Sequence, residues 1–425
     1  MRRVCGSASF ALAVSIGLMV SPPAQARKKI DAGPPVALTD GFRANVAAVR
    51  AAFAAGDLVS AQARIGGLMP TSDLENYIAA GLRFEAASKR GDVQAQRIAL
   101  TDMFKTQSVP PAEAPRLRYM AGLYSYYVGN NDDAIAQLNY ARSLGYDGVD
   151  ATLLMADILL RKRKPKEARP LVEQALATYR AAGRPIPAPW YDKAISLAMQ
   201  GGDWAAVSQL YGERLSVYPS TPNWRSALAN IMDEPKLDPQ VQLDIYRLQA
   251  AVGAMASERD YQNYATLANG AGASAEAQTV IAAGRAAGKL PVTQAATAKL
   301  LLTAAPKAKK DIAALPALAK KAGAAKDGAA ALAVADSYYS MAQYAQAADY
   351  YRMAASKGGV DAGRVNTRLG IALARSGDYA GGGQALAQVT SGAWGNVAGL
   401  WRLWVSQRAG QSAGAAPAGG PAGAS

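Results

Sequence analysis

Histidine is absent from this 425-residue chain, and cysteine occurs once, at Cys5. Those two shortages exclude much of protein chemistry. Zinc sites of the ordinary kind, Cys–His and Ser–His–Asp catalysis and covalent haem attachment all need side chains that are missing. No Ser-x-x-Lys pair occurs, which removes the penicillin-binding type of serine enzyme. No P-loop or Gly-x-Gly-x-x-Gly run opens a helix after a strand, and the pattern shows no strands. Asp132-Asp133 is an adjacent acidic pair, but its place at the start of a helical pattern is explained by capping. The reading therefore assigns no catalytic residue, no cofactor and no metal, and expects the protein not to be an enzyme.

Long apolar runs are also lacking, apart from one near the start. Arg2 and Arg3 precede an apolar stretch over residues 8–20, and Ala24-Gln25-Ala26 follows as a small-x-small cleavage site. That run is too short for a permanent bilayer anchor, so residues 1–26 read as a cleaved signal peptide. Cys5 lies before the run, whereas a lipoprotein cysteine would follow it. The paired arginines stand in surroundings unlike a twin-arginine signal, so ordinary secretion is expected. The implied location is the periplasm, with full secretion as the alternative. Cleavage would take the single cysteine with it, leaving a fold held by packing rather than disulfides.

What the chain has is small apolar residues at helical spacing. In residues 329–359, Ala331, Val334, Ala335 and Tyr338 stand at i, i+3, i+4 and i+7, and Tyr344, Ala347, Tyr351 and Ala354 make a second face after a break. Ala335 and Ala347 would let two antiparallel helices approach closely. Related positions recur at Val49, Phe84, Gly122, Ala156, Ile195, Leu228, Ala265, Leu300, Ala335, Gly370 and Val405, in steps of 33 to 39 residues. Glycine followed by aspartate or asparagine marks the turn inside several units, at Gly56-Asp57, Gly91-Asp92, Gly129-Asn130, Gly202-Asp203 and Gly377-Asp378. The irregular steps hold Pro110-Pro111 and Pro185-Ile186-Pro187, as insertions between units would.

This spacing resembles the tetratricopeptide repeat, a family of stacked helix–turn–helix units with a period near ~34 residues. The resemblance implies an all-α, right-handed α-solenoid of about ten such hairpins over residues 39–408. A flexible lead-in is expected at 27–38, a capping helix at 394–408 and a disordered Gly/Ala/Pro tail at 409–425. It also implies a scaffold or adaptor that holds a protein or peptide partner in a groove, with envelope assembly or polymer export as the setting. On the family's pattern Arg116, Tyr119, Tyr126, Tyr127, Leu153, Asp157, Asp192, Met199, Leu332, Asp336 and Tyr339 face that groove. Packing at a shifted register would explain the same residues equally well. A runner-up reading is the helical superhelix of cell-wall lytic enzymes, acting on glycan strands. Such enzymes carry a separate catalytic domain, for which no room is seen after Val405. The chaperone-tail clamp of the family uses Lys-x-x-x-Asn, which does not occur here.

Charge is lopsided, at +14 overall with 46 basic and 32 acidic residues. Two clusters stand out. Arg161, Lys162, Arg163, Lys164 and Lys166 fall in a turn, and Lys307, Lys309, Lys310, Lys320, Lys321 and Lys326 decorate the Leu300 unit. Solvated surface is the plain reading of both. The functional one is attraction to an anionic envelope surface or polymer. Nucleic acid is not an expected partner of an exported protein.

Overall fold

The computed structural model describes residues 38–414, with side chains placed to Gln411. The expected signal peptide, nearly all of the lead-in and the end of the tail lie outside those residues. Every regular element among the described residues is a helix. The chain divides into two compact units between Thr178 and Tyr179, where the sequence reading treats 39–408 as one continuous stack.

The first unit comprises α1 (Asp40–Ala54), α2 (Leu58–Gly66), α3 (Asp73–Arg90), α4 (Val93–Phe104), α5 (Ala114–Tyr127), α6 (Asn131–Ser143) and α7 (Val149–Arg161). It also holds most of α8 (Pro165–Ala181), through which the boundary passes. Each helix from α1 to α6 packs on the next in sequence. Val49, Phe84, Gly122 and Ala156 lie buried on the first helices of the pairs, as the spacing requires. Their turns share one chemistry. Gly56, Gly91 and Gly129 take positive φ, and Asp57, Asp92 and Asn130 then accept a hydrogen bond from the backbone N–H three residues on. The turn between α7 and α8 places Arg163 in the same left-handed conformation, at φ 59°, without glycine's freedom.

The second unit runs through α9 (Ala188–Gln200), α10 (Trp204–Val217), α11 (Thr221–Met232), α12 (Pro239–Ala251), α13 (Glu258–Gly270) and α14 (Ser274–Ala286). It continues with α15 (Ala295–Ala324), α16 (Ala329–Ser340), α17 (Tyr344–Lys357), α18 (Ala362–Arg375), α19 (Tyr379–Ala387) and α20 (Gly392–Gly414). Here α15 departs from the hairpin pattern: it is one helix of 30 residues. Pro306 and Pro316 lie inside it but point to solvent, where a missing N–H and a slight bend are tolerated. The Leu300 unit is therefore a single long helix rather than a hairpin.

The second unit closes on itself. α20 packs on α18 and α19, as an end cap should, and also on α10 and α12. Trp401 is fully buried and donates its indole N–H to the Asp244 carbonyl at 3.1 Å, while Gln407 reaches the Leu215 carbonyl at 3.2 Å. The helix also outlasts the expected end at Arg408 by a turn and a half, since nothing between Ala409 and Gly414 removes a backbone donor. At the centre lies α12, the second helix of the unit that is least regular in sequence. Val241 and every residue from Leu243 to Gln249 are buried on it, Asp244 and Arg247 included.

Candidate functional site

In the first unit, α5 carries Arg116, Tyr119, Tyr126 and Tyr127 within three turns, and α7 packs against it. Tyr119 stacks on Tyr146, with ring centroids 4.7 Å apart and planes 8° apart. The Tyr146 hydroxyl donates to Asp150 at 2.9 Å, and burial together with that carboxylate pushes both phenols well above their ordinary value. Tyr126 packs at the edge of the core formed by α6 and α7. Arg161 lies over its ring at 3.7 Å and donates to its backbone carbonyl at 2.6 Å. Tyr127 is different, for 59% of its surface is open to solvent, next to the exposed Val128. Asp157 is half-buried and Arg116 exposed. Leu153 corrects the groove assignment: it is buried, so it serves the core.

The basic turn belongs to this surface but is largely consumed by it. Besides Arg161 on Tyr126, Lys162 pairs with Asp132 at 2.5 Å and Lys164 with Glu167 at 2.9 Å. Arg163 and Lys166 are exposed.

The remaining groove residues fall in the second unit and are not one surface. Asp192 is exposed and lies 2.9 Å from Arg214. It shares a cleft of about 460 Å³ with Met199, Tyr211 and Asn230. Leu332 lines a separate polar cleft of about 500 Å³ with Lys307, Asp311, Ser337 and Arg364. Tyr339 is buried beneath Arg247, whose guanidinium lies 4.2 Å from its ring centre. Asp336 accepts from Arg368 at 2.8 Å, Arg364 at 2.6 Å and the Tyr351 hydroxyl at 2.6 Å. Burial alone would raise the Asp336 carboxyl, but Arg368 and Arg364 outweigh it and hold it below the usual range. Tyr339 is thus an interior residue, whereas Asp336 lines the same cleft as Leu332, its carboxylate turned to the arginines.

They lead into a network the sequence reading missed. Arg247 grips Glu276 through two nitrogens at 2.8 and 2.6 Å and Asp244 through a third at 2.6 Å. Arg368 bridges Asp244 at 3.0 Å, Asp336 and the Gln240 side chain. The Tyr264 hydroxyl donates to Glu276 at 2.7 Å. Arg247, Arg364 and Arg368 face Asp244, Glu276 and Asp336, so the charges balance, with Arg364 and Asp336 at the end that opens on the cleft. Each guanidinium reads its carboxylates through directed N–H donors, the condition under which buried ion pairs are sustained. Local spacing hints at it, with Asp244 and Arg247 one turn apart and Arg364 and Arg368 likewise. The decisive pairing joins Arg368 to Asp244, 124 residues away, which no local pattern encodes.

Among the described residues no group of three or more Cys, Asp and Glu side chains could hold a metal, and no helix is long and apolar enough to cross a membrane. No family model matches the chain, and no curated protein does. Among solved structures it is similar to a tetratricopeptide repeat protein from Parabacteroides merdae ATCC 43184, at 13% identity and a TM-score of 0.34, over 70% of this chain and 99% of that one. It is also similar to pilF of Pseudomonas aeruginosa, at 16% identity and a TM-score of 0.20, over 66% of this chain and 92% of the other. Scores this low carry no argument about site or partner. The tetratricopeptide-like character of the chain rests on its own helical pairs, their recurring buried anchors and their glycine–aspartate turns.

Proposed function

We propose that this chain is an exported, non-catalytic scaffold of the cell envelope that holds a protein or peptide partner on the α5–α7 face of its first unit. The observation that carries the reading is the exposed Tyr127 ring beside Tyr126, which Arg161 fixes from above and through its backbone. The held Tyr126 gives the exposed Tyr127 ring a fixed neighbour, and such a ring offers much contact area for few side-chain torsions. Arg116 and Asp157 supply charge of both signs at the rim of the same face. The charge–apolar–cleavage order of residues 1–26 supports periplasmic placement.

Tyr127→Ala tests this directly, because removing an exposed ring leaves the core untouched. Capture of partner from envelope extracts by the purified protein should weaken by more than ~2 kcal/mol, with helical content unchanged. Undiminished capture by the variant sinks the assignment. Release of fragments from purified peptidoglycan would instead establish the lytic class.

A further inference from the structure

The basic face of α15 is chemically unlike the basic turn of the first unit. α15 buries Thr297, Ala304, Ala308, Leu315 and Ala322, which fall on one line at intervals of four and seven residues. Turning ~100° per residue from that line places Lys299, Lys310 and Lys321 on the side facing away from the protein. They repeat every 11 residues, about 16 Å apart along the axis. Lys309 and Lys320 form a second row across the same outer face, again 11 apart. Between the rows run Ala295, Pro306, Ala313 and Ala317, so the strip separating them is shallow. All these lysines are exposed, and no ion pair or hydrogen bond reaches their ammonium groups among the described residues. By contrast, Lys162 and Lys164 are paired with carboxylates. The single acidic residue of α15, Asp311, turns toward α16 and lines the inner cleft.

Apolar side chains accompany the charge. Leu302 is 78% exposed and lies in the same row as Lys309 and Lys320. Val292, just before the helix, is exposed as well, while the exposed Ile312 and Leu318 flank the buried line instead. A soluble polyanion would be served by lysine alone and has no use for an open leucine. A bilayer interface takes both, with ammonium groups at the phosphates and short apolar side chains at the acyl boundary.

The geometry points to the outer face of α15 as a docking surface for an anionic phospholipid bilayer. Its ~45 Å length would lie flat on the headgroups, with the buried line still holding it to α14 and α16. The protein is tethered there by charge and a shallow apolar contact, without crossing the membrane. This does not depend on the α5–α7 face, which lies in the other unit.

The experiment is co-sedimentation of the full chain with vesicles of phosphatidylcholine containing about one-third phosphatidylglycerol, against vesicles of phosphatidylcholine alone. Binding should require the anionic lipid and fall as salt rises. Lys299→Gln/Lys310→Gln/Lys321→Gln should weaken it roughly 100-fold, and Leu302→Ser a few-fold, both with native helical content. Lys162→Gln in the first unit should leave it unchanged. Equal binding to the two vesicle types, or a triple variant that binds like the parent, overturns the proposal. So does a soluble polyanion of matched charge that binds as tightly as the vesicles while Leu302→Ser has no effect, since the face would then read a polymer.

Discussion

Single residues decide where each helix begins and how the chain enters it. Glu75 is the most heavily used: fully buried, its carboxylate accepts from the backbone and hydroxyl of Thr39 and of Thr71, at 2.7 to 2.9 Å. It thereby ties the start of α1 to the loop before α3. The Thr71 backbone and the Thr39 hydroxyl pull its carboxyl from an ordinary 4.5 down to about 2. A depressed folded value means that this stabilisation is complete above the unfolded value and disappears as pH falls through the folded one. Glu75→Gln should therefore lower the denaturation midpoint at neutral pH, and the gap to the parent should close between pH 4.5 and about 2. A gap that stays constant over that window would show that the charge is not what the site uses. Ala342 makes a second residue-scale test. It is exposed and sits at φ 58°, where glycine does the same task at Gly56, Gly91, Gly129, Gly202, Gly272 and Gly377. Left-handed backbone costs an L-residue roughly 1–2 kcal/mol, part of which glycine returns to the unfolded chain as entropy. Ala342→Gly should raise stability by about 0.5–1 kcal/mol in urea, against the usual direction for glycine.

At the scale of elements, close approach between paired helices explains a residue that looks like a defect. Gly382 lies inside α19, where glycine ordinarily weakens a helix by about 1 kcal/mol relative to alanine. A Cβ there would come within 2.8 Å of the Gly370 carbonyl on α18, and one on Gly370 within 2.8 Å of the Gly382 carbonyl. Backbone cannot give way as a side chain can. Gly382→Ala should therefore cost about 1–3 kcal/mol instead of gaining ~1. A raised denaturation midpoint would refute the contact. Elements were the scale most legible in sequence, because a helical face, a turn glycine and an N-cap are all encoded within a few residues. Ten of the eleven anchors are buried, and Leu300 is half-buried. The exceptions share a cause. In α15 the prolines and lysines suggest interruption, yet both prolines face water and the helix runs through. In α12 the polar side chains suggest a surface, yet their partners come from α14 and α18. Tyr339 was read as a groove residue for the same reason: an aromatic position on a first helix looks the same locally whether solvent or a distant arginine faces it.

At the scale of the molecule, closure of the second unit is what converts a row of helices into a body with an interior. A plain stack exposes charged side chains on its inner face and would not need to match them. Here α20 lies across α10, α12, α18 and α19, and the carboxylates and guanidiniums beneath it balance. The Asp244 carboxylate binds Arg247 and Arg368, while its carbonyl accepts from Trp401, so one residue joins the ion network to the closing helix. Removing α20 has two separable consequences. It uncovers the apolar faces that Val397, Leu400, Trp401 and Trp404 now fill, and truncating a buried aromatic of this kind alone costs about 3–5 kcal/mol. It also admits water to a buried ion network, whose charges then exchange protein partners for solvent. A chain ending before Gly392 should therefore lose amide-exchange protection along α12, from Val241 to Gln249, and not only on α18 and α19 where an ordinary end cap would act. Amides of α3 and α4, in the other unit, should keep theirs. Loss confined to α18 and α19 would mean that α20 is a simple cap. Loss throughout both units would mean that they unfold as one. Trp401→Phe separates packing from the hydrogen bond: it keeps most of the ring but releases the Asp244 carbonyl, and should cost about 1–3 kcal/mol with α12 still protected.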